Sequence, residues 1–392
     1  MPTVYLDYNA TTPVDTRVLA AMMPWLTHQF GNAASRDHTF GWDAAEAVEE
    51  ARHHVACLVN ANSNEILFTG SATESINLAL KGFACAQQAP EKAIITSPTE
   101  HEAVLETAQQ LTHQMRQSVL FLPVDTQGHI TVDALEETLS ATQTLVVALM
   151  YANNEIGTLH PIRPIADLAH RFGALLCVDA TQAVGKIPVD VQQDGIDLMA
   201  FSAHKIYGQK GVGALYMRGG AKSITLEPLI VGGGQECGLR SGTLNVPGIV
   251  GFGEACRLAK EVMGEESLRV TRLRDKLEHS LVASLDDLTI NGDLTHRLPN
   301  TTNIMFRGVD ARTLIRDMHC IAVSTKSACS SHTSGPSHVL KAIGLTDDEA
   351  YSSIRFSLGR FTTDEEIGFT IARVVASVEK LWKINSAYAG TV

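Results

Sequence analysis

Short, wholly apolar runs alternate with longer amphipathic stretches through the first two-thirds of the chain. Residues 64–69, 93–97, 145–150, 174–179, 198–201 and 213–217 are brief and rich in Ile, Leu, Val and Phe. That pattern predicts strands covered on both faces of a sheet. Between them, residues 43–60 keep apolar positions at helical spacing behind an acidic N-cap, Asp43. Residues 100–114 and, after Pro161, 162–171 repeat the helical pattern. Strand–helix alternation of this kind predicts right-handed crossovers and a mainly parallel sheet.

The pattern changes near Gly253. A long charged helix is predicted over 254–284, followed by strands at 288–292 and 302–306 and a final helix from Asp364 to about Trp382. The expected organisation is a large α/β domain over 15–255. Residues 1–14 and 256–392 would form a smaller α+β domain. The stretch 219–242 is rich in glycine without periodicity and reads as a long functional loop.

The chain has 392 residues and a formal charge of −12, with 45% hydrophobic and 19% charged residues. This composition is that of a globular chain with a sizeable core. The acidic balance argues against direct nucleic-acid binding, which needs clustered Lys and Arg. No apolar run approaches the roughly 20 residues that span a bilayer, and the first residues lack the basic start and apolar core of a secretory signal. The seven cysteines (Cys57, Cys85, Cys177, Cys237, Cys256, Cys320, Cys329) form no CxxC pair. A disulfide framework or zinc ribbon is not expected; the expected setting is cytoplasmic, with reduced thiols and no metal.

Chemistry concentrates where predicted strands end. Asp179-Ala-Thr-Gln182 closes one apolar run, and Phe201-Ser-Ala-His-Lys205 closes another. Ligands in open α/β sheets bind beyond the carboxyl ends of strands. An acid and a lysine there suit pyridoxal phosphate: the amine condenses with the aldehyde, and the carboxylate keeps the pyridine nitrogen protonated. Taken alone, Asp179 and Lys205 fit better a strand-end cap and a surface cation, and it is their context that points to the cofactor. Gly70-Ser-Ala-Thr-Glu-Ser75 sits between a strand and a helix, where free N–H groups and hydroxyls cradle an anion. It also reads as a capping box, with Ser71 matched by Glu74. His101 follows another strand and could stack on a ring and move protons, or simply open a helix. Cys329 lies in a small, polar, glycine-bounded stretch that exposes a thiol, with Lys326 and His332 close enough to favour the thiolate. Cys57, Cys177 and Cys256 sit in apolar or helical contexts and are expected in the core. Arg355, on an alternating strand, could grip a carboxylate bidentately or face solvent.

Taken together, these segments resemble the cysteine desulfurases of the housekeeping and nitrogen-fixation type, within the class V aminotransferases. The match runs in order through YLDYNATTPVD, FGNAAS, GSATES, TEHEAV, NNEIG, VDATQ, FSAHKIYGQKG, RSGT, SAC and SSIRFSLGRFT and covers nearly the whole chain. The resemblance implies a fold-type I pyridoxal-phosphate enzyme with a mainly parallel seven-stranded sheet. It also implies a homodimer with shared active sites, L-cysteine as substrate and a sulfur-acceptor protein as partner. By motif, Lys205 would hold the cofactor aldehyde, Asp179 its pyridine nitrogen and Gln182 its phenolic oxygen, with His101 stacked on the ring. Ala72, Thr73, Ser202 and His204 would hold the phosphate, joined by Thr243 from the other subunit. Asn32, Asn154 and Arg355 would bind the substrate carboxylate, Asn154 also lying against the cofactor. Cys329 would carry the persulfide.

The chain departs from the family pattern at Lys326, Ala203 and Cys237, the last placing a second thiol near the expected site. Its tail after Ala387 is short for a housekeeping member, so transfer-RNA thiolation or DNA phosphorothioation joins iron–sulfur assembly as an expected destination for the sulfur. Alternatives are a selenocysteine lyase, a small amino-acid aminotransferase, or an inactive scaffold. Cys329 discriminates against the first two, and the joint presence of Lys205, Asp179, His101 and Cys329 against the third.

Overall fold

The structure, a computed structural model, describes residues 3–326 and 335–389. Its strands, in chain order, are β1 (Val4–Tyr5), β2 (Ile66–Thr69), β3 (Ala93–Thr96), β4 (Val119–Phe121), β5 (Thr144–Met150), β6 (Leu175–Asp179), β7 (Leu198–Ser202), β8 (Gly213–Met217), β9 (Leu288–Asn291), β10 (Thr301–Phe306), β11 (Ile321–Ala322) and β12 (Ser353–Ser357). Seven of them form one sheet in the order β2-β8-β7-β6-β5-β3-β4. Strand β8 runs against both neighbours and every other pairing is parallel. Because β2 and β7 both oppose β8, all the strands except β8 deliver their carboxyl ends to one edge.

Alternation along each strand feeds two apolar layers, as a period of two requires. In β7, Met199 and Phe201 join the layer that holds Val147, Leu149, Leu176 and Val178. Leu198 and Ala200 point the other way, into the layer with Ile94, Val146, Ala148 and Leu215. A further core gathers Val4, Leu6, Ile304, Phe306, Ile354 and Phe356 with Val374 and Val378. It lies on a three-stranded antiparallel sheet, β12-β10-β9, while β1 pairs with β11 in parallel. The 39-residue helix Val246–Ser284 serves two of these cores. Ile249, Phe252 and Cys256 pack in the first, and Leu273, Leu277 and Leu281 in the last.

Several boundaries differ from the expectation. The long helix begins at Val246 rather than Glu254, because the glycines that break its pattern are contact points. A Cβ on Gly251 would come within 2.6 Å of Met22 Sδ, and one on Gly253 within 2.5 Å of Ala51 Cα. The helix Thr39–Leu58 starts before Asp43, and its N-cap is His38, whose ring accepts from the Gly41 N–H. Cys57, near the end of that helix, is half-buried rather than in the core. Among the described residues no helix is long and apolar enough to cross a membrane.

Candidate active site

The common carboxyl edge of the sheet opens onto a cavity of about 130 Å³. Ala72, Thr73, His101, Asn154, Asp179, Gln182, Ser202, His204, Lys205 and Arg355 all line it. The residues from Ala72 to Lys205 meet because five strand ends converge, and Arg355 joins them from β12 of the smaller sheet. Asn32 and Thr243 do not line the cavity; both are exposed in this single chain. Cys329 lies outside the described residues, bracketed by Lys326 and Gly335. Cys237 is exposed at Glu236–Gly238 and, like Thr243, does not line the cavity of its own chain.

Each side chain is placed by local chemistry. Asp179 is the last residue of β6, and its Oδ1 accepts from the Thr181 N–H at 3.0 Å, which orients the carboxyl. Lys205 follows β7 in a short 3-10 turn, and its Nζ donates to the backbone carbonyls of Asn9 and Ala10. Asn9 is a hub that the sequence reading did not single out. Its carbonyl also accepts from Gln182 Nε2 at 2.9 Å, and its own amide donates to Asn154 O and Thr301 Oγ1. It lay within the quoted YLDYNATTPVD, but nothing in spacing assigned it a partner.

The anion cradle is built at the end of β2. Ser71 caps the helix Ala72–Asn77 by accepting from the Glu74 N–H at 3.1 Å. The reciprocal half of the expected box is absent, since Glu74 accepts instead from Gly70 N and Arg240 Nε. Strand β8 presses close here: a Cβ on Gly213 would meet Ser71 C at 2.6 Å and Ala72 N at 3.0 Å. Opposite, His204 Nδ1 lies 3.1 Å from Thr11 Oγ1. Burial, with Lys205, Lys210 and Lys186 adding to it, lowers the His204 pKa to about 4. The ring is therefore neutral at pH 7 and can donate one N–H without adding charge.

His101 caps the helix Glu102–Met115, its Nδ1 accepting from the Ala103 N–H at 3.0 Å, which leaves the ring proton on Nε2. Behind it, Glu100 is fully buried, with one oxygen accepting from Met150 N and the other without a partner among the described residues. Burial holds its carboxyl well above the usual range, and Asp179 pushes the same way. On the far wall, Arg355 is 1% exposed and is not a surface cation. One of its terminal nitrogens donates to Asn154 O at 2.9 Å and the other to Asp7 Oδ1 at 2.7 Å.

Among the described residues, two buried atoms on this wall have no hydrogen-bond partner: Thr181 Oγ1 and Arg355 Nε. An orphaned polar atom in a cavity costs about 1–3 kcal/mol and marks where a polar ligand belongs. With an amine, an oriented carboxylate, a neutral histidine and a helix start around the same space, the donor set fits an anionic aromatic aldehyde.

Residues 4–369 match the family model described as aminotransferase class-V. The chain is 48% identical to "Cysteine desulfurase IscS" of Anaeromyxobacter sp. (strain Fw109-5), covering 98% of this chain and 95% of that protein. It superposes with a TM-score of 0.89 on a solved NifS-like protein, 38% identical, covering 96% and 99% of the two chains. A structure described as SspA in complex with cysteine gives 0.81, at 35% identity, covering 92% of this chain and all of that one. The chain belongs to the aminotransferase class-V family and, within it, to the cysteine desulfurases of the housekeeping and nitrogen-fixation type.

Proposed function

We propose that this chain is a pyridoxal-phosphate-dependent cysteine desulfurase that converts L-cysteine to L-alanine and leaves the sulfur as a persulfide on Cys329. The observation that carries the reading is the meeting of Lys205, Asp179, Gln182 and His101 around one cavity whose wall holds the buried, incompletely satisfied Arg355. The bound cofactor would supply an electron sink that labilises the bonds of the amino acid joined to it.

The protein's own groups divide the remaining work. Lys205 Nζ is the amine placed for the cofactor aldehyde, and Asp179 is the carboxylate for the pyridine nitrogen. Thr73, Ser202 and His204, with the helix start at Ala72, are the phosphate donors. Arg355 and Asn154 take the substrate carboxylate, a role that suits a guanidinium already fixed by Asp7. His101 and Lys205 move protons at the substrate α- and β-carbons. The Cys329 thiolate attacks the substrate sulfur. The Cβ–Sγ bond breaks with its electron pair retained on carbon, which takes a proton and becomes the alanine methyl. Cysteine and one thiol thus become alanine and one persulfide, with no external oxidant or reductant.

The SspA neighbour, solved with cysteine, supports L-cysteine as substrate. We further infer a homodimer, in which the exposed Thr243 and Asn32 complete the partner's site. The sulfur then passes to an acceptor protein for iron–sulfur assembly, transfer-RNA thiolation or DNA phosphorothioation. The test is incubation of the reconstituted protein with L-cysteine while alanine and sulfide are measured. Equimolar alanine and releasable sulfur are expected. Cys329→Ser should abolish sulfur release and keep cofactor binding; full desulfuration by that variant would overturn the reading.

A further inference from the structure

A second lysine lies beside Lys205. Lys186 ends the turn after β6, four residues beyond Gln182, and its Nζ donates to Asn9 Oδ1 at 3.0 Å and to Gln182 Oε1. Burial, Lys205 and Arg355 push its pKa well below the usual lysine range. Charged or neutral, the amine has at least two N–H groups, and these two amide oxygens take one each.

The Asn9 amide cannot turn over to meet it differently. Asn9 Nδ2 is held by Asn154 O at 3.2 Å and Thr301 Oγ1 at 2.8 Å, and Asn9 Oδ1 accepts a second bond, from Asn300 Nδ2 at 3.0 Å. Lys186 is therefore fixed through Asn9, and Gln182 Oε1 is fixed through Lys186. The opposite end of the Gln182 amide spends one hydrogen on Asn9 O at 2.9 Å. Its second N–H is left for whatever occupies the cavity that Gln182 lines.

We propose that Lys186 is a positioning residue that locks the Gln182 amide with its oxygen turned to Lys186 and an N–H presented to a ring oxygen of the ligand. This deepens the reading of Gln182 as the donor to the cofactor's phenolic oxygen and rests on it. A side-chain amide can exchange its two ends unless its neighbours discriminate between them; here the Asn9 carbonyl accepts from the nitrogen end and the Lys186 amine donates to the oxygen end.

The test uses the full-length protein stripped of cofactor and titrated with pyridoxal phosphate, in wild type, Lys186→Met, Gln182→Ala and the double variant. Two quantities are read: the dissociation constant of the cofactor, and the pH at which the visible band of the bound cofactor changes. Lys186→Met is expected to weaken binding about tenfold, the effect of losing one well-aligned hydrogen bond to a polar group. It should also move the spectral titration in the same direction as Gln182→Ala. In the double variant the second change should add nothing, since one residue acts through the other. Lys186→Arg, which also only donates, should restore the wild-type band. Additive losses in the double variant overturn the proposal, as does a fall in Tm with no change in the spectral titration. A Gln182→Ala protein with unaltered binding and spectrum overturns it by removing its premise. The desulfurase reading fails separately, when wild type forms no coloured adduct at all.

Discussion

His160 has two ring nitrogens, and neither finds a hydrogen-bond partner among the described residues. Burial, with His129 beside it adding a smaller push, lowers its pKa from 6.5 to about 4. Below about pH 6.5 the unfolded chain takes up a proton that the folded chain refuses until about pH 4. Stability therefore falls as pH drops through that interval, by about 3 kcal/mol for this one group. Denaturant unfolding at pH 4.5 and pH 7.5 should show a smaller difference in His160→Gln than in wild type; an unchanged difference would contradict it. The residue scale is also where sequence was least informative. Lys205, Asp179 and His101 announced themselves by standing at strand ends. Asn9, Lys186 and Glu100 did not, because their roles arise from partners distant in sequence: the partners of Asn9 include Asn154, Lys205 and Thr301. Arg355 was legible as a carboxylate ligand but not as a buried one, since an alternating strand reads the same whether its polar face meets water or another layer.

At the scale of elements, the glycine-rich segment between β8 and the long helix is anchored by Glu236 as well as by Arg240. Glu236 accepts from both terminal nitrogens of Arg52, at 2.9 and 2.7 Å, and from the Phe68 N–H at 2.7 Å. The Arg52 guanidinium also lies 4.7 Å from the Phe68 ring centroid. Both partners are nearly buried, and Glu236→Ala would leave Arg52 only the exposed Glu49, 3.0 Å from its Nε, as a counter-charge; the loss of the two charge-assisted bonds should cost about 1.5–3 kcal/mol in denaturant unfolding. A loss under 1 kcal/mol would show that water relieves the arginine. Elements with a strong period were read correctly because burial on both faces leaves a uniform apolar run, as in β5 and β7. The edge strand β4 was not, because its residues are half-buried or exposed and carry no such signature. The early start of the long helix was hidden by Gly251 and Gly253, which lower helix propensity while permitting the approach of Met22 and Ala51.

At the scale of the molecule, single-chain exposure leaves Phe30 at 70%, Trp42 at 55% and Val231 at 78%. Large apolar side chains at such exposure, on segments flanking the still-external Asn32 and Thr243, are what a dimer would cover. Sedimentation equilibrium should give about twice the 42.2 kDa chain mass, and a monomer at micromolar concentration would contradict the shared-site reading. In the proposed reaction, chemistry begun at Lys205 ends at the thiol of Cys329.

That cooperation is most directly tested by mass spectrometry of the tryptic peptide that contains Cys329, after one turnover with sulfur-labelled L-cysteine. The peptide should gain a single labelled sulfur in the wild type and none in Lys205→Ala. Labelled sulfur found on another cysteine, or an unlabelled Cys329 in a protein that has made alanine, would contradict the account.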